Sequence, residues 1–143
     1  MAEVLAGIVC GYALALTVTP IVAVALLRAR VNSPLLAKVL PEGTSFVAIS
    51  VIIHGFAFMA LTALGMLLGL LLSGLEERSP AGGLGSPNGA FTAFILASAV
   101  IAVVPLAVFA PRLRRALVAG GLLFAGLFGW LMPYLSLWGP DGG

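Results

Sequence analysis

The sequence predicts an all-α, polytopic integral membrane protein: one domain, residues 1–143, with four transmembrane helices as two helical hairpins and both termini outside. Three observations lead there. The chain is 62% hydrophobic and 8% charged, with a mean hydropathy of +1.20, whereas soluble domains carry about 25% charged residues. Its apolar residues fall into four runs, at about 4–27, 45–75, 90–110 and 116–138. Each reaches the ~20 residues that a helix needs to cross ~30 Å of hydrocarbon. Finally, the basic residues gather in the first loop (Arg28, Arg30, Lys38) and the third (Arg112, Arg114, Arg115), against Arg78 alone in the second. Cytoplasmic loops collect such an excess, so the first and third loops are expected inside. The expected location is the inner or plasma membrane.

The first span opens with Met-Ala-Glu, an acid where a signal peptide has a basic region. Ala13-Leu14-Ala15 has the form of a cleavage site, but the apolar run continues through it to Leu27, so cleavage is not expected. Gly7, Gly11 and Ala15 recur every fourth residue, which allows another helix to approach closely. Pro20 takes the helical partner from the Leu16 carbonyl, and Thr17 and Thr19 are placed to help satisfy freed backbone groups. Asn32-Ser33-Pro34 then starts a helix, with Ser33 as cap, and Leu35, Leu36, Val39 and Leu40 suit a short turn on the membrane surface.

Thr44 or Ser45 caps the second span, which is organised around His54, the only histidine in the chain. At about 100° per residue, Ser50, His54, Phe58, Thr62, Gly65, Gly69 and Ser73 fall within an arc of about 140°. Ile49, Ile53, Leu64, Leu67 and Leu71 occupy the opposite side and suit lipid or another apolar surface. Packing and interhelical hydrogen bonds drive association in lipid, so the polar side is expected to face protein. The segment from Ser79 to Gly89 is rich in Gly and Pro and reads as a flexible connector.

Ala93, Ala97 and Ser98 lie on the third span with Pro105 inside it, and Pro111 and Arg112 close it. The fourth carries a seam of Gly121, Ala125 and Gly129, and ends in Trp130, Tyr134 and Trp138, rings suited to the headgroup region. Pro20 before Arg28 and Arg30 resembles Pro105 before Arg112 and Arg114, a faint repeat that would relate the two hairpins.

Chemically the chain is sparse. The net charge is +2 and its excess sits at helix ends, which gives nucleic-acid binding no support. The lone Cys10 cannot form an internal disulfide or a cysteine metal cluster. No span holds a carboxylate, and no Ser/His/Asp set or phosphate loop is present, so an enzyme is not expected. The expectation is a non-catalytic accessory subunit of a larger membrane complex, respiratory or photosynthetic in type. Its partners are the bilayer and other membrane subunits or further copies of itself, packed through Gly7, Gly11, Gly65, Gly69, Gly121 and Gly129. One alternative is a homo-oligomeric channel or transporter lined by Ser50, His54 and Thr62. The other makes His54 the axial ligand of a haem or chlorophyll, with Gly55, Ala57 and Gly65 leaving room beside the ring. Met59 and Met66 could then complete a haem only across a subunit boundary. No metal site is expected.

Overall fold

The computed structural model describes residues 1–40, 43–78, 82–109 and 111–138. These form α1 (Ala2–Arg30), α2 (Pro34–Val39), α3 (Phe46–Arg78) and α4 (Gly89–Phe109), and then a 3₁₀ turn at Pro111–Leu113. The last long helix runs in three pieces: α5 (Arg114–Phe124), a π-helical stretch at Ala125–Leu131, and α6 (Met132–Ser136). Among the described residues there is no strand. Four helices are long and apolar enough to cross a membrane: Ala2–Arg30, Phe46–Leu75, Gly89–Phe109 and Arg114–Ser136.

Local chemistry sets the ends. The Ser45 hydroxyl accepts the Ala48 amide at 3.1 Å, and the Ser45 carbonyl accepts the Ile49 amide at 3.2 Å, so Ser45 caps α3. Pro34 opens α2 at the position where its missing N–H costs nothing. α1 and α4 run through Pro20 and Pro105 as continuous helices. The faint repeat does not extend to the arginines. Arg28 and Arg30 end α1, whereas α4 stops at Phe109, so that Arg112 lies in the 3₁₀ turn and Arg114 begins α5.

α1 is the centre of the fold. It packs along α3 on one side and against the π stretch and α6 on the other, while α4 packs against α5 and the π stretch. The α1–α3 pair is antiparallel: Glu3 and Val4 lie at Gly69, Gly7 at Gly65, Gly11 at Leu61 and Thr62, and Thr19 at His54. A Cβ on Gly65 would overlap the Gly7 carbonyl oxygen, and one on Gly69 would come within 2.6 Å of the Glu3 carbonyl oxygen. The two small-residue seams therefore close on each other, backbone against backbone. The seam of the fourth helix faces α4, where a Cβ on Gly121 would meet Val103 Cγ2 at 2.6 Å and one on Gly129 would touch Ile95 and Thr92.

The main core cluster lies towards one end of the bundle, with Ala23 and Ile49 buried apart from it. Cys10, Leu14, Leu68, Leu72, Phe91, Ile95, Phe128 and Met132 form a single buried cluster. At the other end, marked by Arg28, Arg30, Arg114 and Arg115, α5 contributes no buried residue, and those of α4 (Phe91, Thr92 and Ile95) lie far away. The apolar side of α3 divides between the two surfaces it suits: Ile49 is buried, and Leu64 packs partly buried against the core. Leu67 and Leu71 on the same side are exposed. A single helical wheel puts these residues together, but α3 meets different neighbours along its length.

Candidate functional site

His54 faces α1, and the hydrogen bonds around Thr19 suit the tautomer of the neutral ring with its proton on Nδ1. The Thr19 hydroxyl donates to the Ala15 carbonyl at 2.7 Å, and the same oxygen lies 3.2 Å from His54 Nδ1. A hydroxyl has one proton to give. With that proton on Ala15, Thr19 accepts from Nδ1–H, which leaves the lone pair on Nε2. No hydrogen bond from Nε2 to another described residue is present. This is the arrangement in which a histidine is oriented by one nitrogen and offers the other.

Two aromatic rings complete the site. Tyr12 stands edge-on to His54 with centroids 6.2 Å apart, and edge-on to Phe58 at 5.7 Å. His54 and Phe58 are 6.3 Å apart on α3. Tyr12 and Phe58 are each 43% exposed, so the cluster lies on an open edge of the α1–α3 pair. The Tyr12 hydroxyl also lacks a hydrogen-bond partner among the described residues. Tyr12 is ten residues past the start of α1 and His54 eight past that of α3, about 15 and 12 Å from those ends. Both polar groups thus lie deep within the apolar helices.

The remaining sequence-derived candidates divide between the two helix seams. Ser50 is one turn from His54, with Oγ buried and without a hydrogen-bond partner among the described residues. Thr62 donates to its own helix, at Phe58, over 2.5 Å, and lies where a side chain on Gly11 would meet it. The Ser50–His54–Thr62 side therefore faces α1. Gly65 does not leave room beside the imidazole, because the Gly7 backbone occupies it, whereas a Cβ on Gly55 would meet nothing within 4 Å. Met59 and Met66 are both exposed.

Two expectations about backbone polar groups are corrected. Thr17 donates to Leu14 and Thr19 to Ala15, so neither hydroxyl serves the Leu16 carbonyl that Pro20 leaves free. Each threonine bonds within its own preceding turn, where the geometry is shorter. In the last helix a neighbour supplies a hydrogen bond to the backbone: the buried Thr92 hydroxyl of α4 donates to the Gly129 carbonyl in the π stretch at 2.6 Å. Sequence spacing alone does not reveal Thr92, since the pairing crosses helices.

The glycine-rich connector is also corrected where it is described. Gly83 and Ser86 exchange two backbone hydrogen bonds of 3.0 Å each around Leu84 (φ 56°) and Gly85 (φ 69°), a tight turn with two left-handed residues. Trp130 Nε1 donates to the Leu84 carbonyl at 2.9 Å and the Tyr134 hydroxyl to the Gly85 carbonyl at 3.1 Å. Asn88, almost fully buried, caps α4 by accepting the Phe91 amide at 3.0 Å. Composition indicates turn chemistry there, but the two aromatic anchors come from about 46 residues away along the chain.

No family model, curated protein or solved structure matches the chain. Fold and site define its class directly: an all-helical protein with four helices of membrane-crossing length and apolarity. Among the described residues no three His, Cys, Asp or Glu side chains converge as a metal site.

Proposed function

We propose that the chain is a non-catalytic subunit of a larger membrane assembly, respiratory or photosynthetic in type. It crosses the bilayer four times as two helical hairpins, with the arginine-bearing loops cytoplasmic and both termini outside. The observation that carries this reading is the Tyr12–His54 edge. A phenolic O–H and an imidazole lone pair stand partly exposed, deep between the helix ends, with no partner among the described residues. Hydrocarbon cannot satisfy them, and leaving a polar group unpaired there costs several kcal/mol. A second polypeptide in the membrane can supply the missing partners. The small-residue seams are occupied within the chain, so the Tyr12–Phe58 edge, and not the seams, is the contact surface.

Photo-crosslinking tests this. A photoreactive residue in place of Phe58, in native membranes, should give a discrete heavier adduct, whereas one in place of Leu67 should give much less. Equal labelling at both positions would refute the assignment of the edge. Reporter fusions at residues 36 and 113 should read cytoplasmic and one at residue 84 external; an external signal at residue 36 would overturn the orientation.

A second reading is favoured by the proton placement on His54. With Nδ1–H held by Thr19, Nε2 is presented as an axial ligand for a haem or chlorophyll at the same edge. A coloured preparation bleached by His54→Gln would establish it, and a colourless one from native membranes would remove it.

A further inference from the structure

We propose that the arginine-bearing end of the α4–α5 pair binds an anionic phospholipid, with its phosphate on Arg114 and Arg115 and one acyl chain between the helices. This inference rests on the helices lying in a bilayer, and is independent of what meets the Tyr12–His54 edge.

The geometry begins at Gly121. Val103 reaches into the space where a side chain would stand, so α4 and α5 approach closely there. Beside that contact is a furrow of about 160 Å³, with Val100 and Val104 on one wall and Val118, Leu122 and Ala125 on the other. Val118 and Leu122 also border a recess that Arg114 and Arg115 line. The two hollows lie side by side along α5 and share Val118 and Leu122. Eleven residues of helix separate Arg114 from Ala125, a rise of about 16 Å. One leaflet contributes about half of the ~30 Å hydrocarbon core, so that distance matches a single leaflet in depth.

Charge selects the ligand. Between Arg78 and Pro140 the sequence contains no Asp or Glu, and neither Arg114 nor Arg115 has an ion-pair partner among the described residues. Guanidinium groups bind phosphate through paired, charge-assisted hydrogen bonds. A furrow walled by valine and leucine accepts an alkyl chain. Phosphate and alkyl chain together describe an anionic phospholipid.

The test is native mass spectrometry of the full chain in mild detergent, with equimolar phosphatidylglycerol and phosphatidylcholine carrying identical acyl chains. Phosphatidylglycerol should be retained in preference by about tenfold. Arg114→Gln with Arg115→Gln should bring the ratio close to one. Leu122→Trp fills the furrow and leaves the charges in place, and should lower phosphatidylglycerol occupancy several-fold with helicity unchanged by circular dichroism. Val118→Trp repeats that test should Leu122→Trp fail to fold. A ratio near one in the native chain would overturn the inference. So would full occupancy in a folded furrow-filling variant, since binding would then be by charge alone, and so would a polypeptide adduct taking the lipid's place. Extraction of the chain by alkaline carbonate would mark failure of the membrane reading itself. A carbonate-resistant chain without headgroup preference would mark failure of this inference only.

Discussion

Replacing Gly65 and Gly55 separately by alanine is the sharpest test of the fold. Both glycines lie inside α3, and the same methyl group is added in each case. At Gly55 nothing lies within 4 Å of the new Cβ. The change there should be neutral or stabilising by up to ~1 kcal/mol, the usual gain of alanine over glycine in a helix. At Gly65 the new atom would overlap the Gly7 carbonyl oxygen and lie 2.6 Å from the Gly7 carbonyl carbon. Backbone atoms on both sides cannot rotate away, so α1 and α3 must separate. Overpacking of this kind costs about 1–3 kcal/mol. Separation also lengthens the Thr19–His54 contact, now 3.2 Å, and a hydrogen bond between membrane helices is worth ~0.6 kcal/mol on average. Gly65→Ala should therefore destabilise by roughly 1–3 kcal/mol, with the two variants moving in opposite directions. Reversible unfolding in mixed dodecyl maltoside and dodecyl sulfate micelles measures the difference. Equal shifts of the same sign would refute the backbone contact between the two seams.

Thr92→Val should cost about 1–2 kcal/mol by removing the buried hydroxyl that donates to the Gly129 carbonyl; an unchanged unfolding free energy would count against that pairing. Leu84→Asn should stabilise by up to ~1 kcal/mol, because Asn tolerates the left-handed conformation better than leucine and Leu84 is 59% exposed; a lower melting temperature would contradict the turn. Trp130→Phe should speed hydrogen exchange at the Ser86 amide by roughly five- to tenfold, in line with the loss of one hydrogen bond of ~1 kcal/mol, and an unchanged rate would show that Trp130 does not anchor the turn.

The comparison of the two glycines also shows where sequence reading stops. Gly55, Gly65 and Gly69 are alike as letters, and a four-residue spacing identifies Gly65 and Gly69 as a surface for close approach. It does not identify the partner. The structure pairs them with Gly7, Val4 and Glu3 of the same chain, so seams expected to bind another subunit are spent on folding. His54 gives the same lesson. Its place on the polar side of α3 follows from helical periodicity, but Thr19, which holds Nδ1, and Tyr12, which stands over the ring, belong to α1. Their relation to His54 depends on the register of two antiparallel helices, set by the depth to which Gly7 and Gly65 interlock.

By itself the sequence determined the helical class, the four apolar helices, a cap at Thr44 or Ser45 and the small-residue surfaces. These depend on hydropathy and on neighbours within one or two turns, which the order of residues specifies directly. Only the tertiary structure decided that α1 is central, that Thr92 bonds the Gly129 carbonyl, and that Trp130 and Tyr134 hold the Leu84–Gly85 turn. Those contacts join residues about 37 to 49 positions apart. Their formation depends on how helices of nearly uniform apolarity are rotated and staggered against one another, and hydropathy is almost blind to that choice.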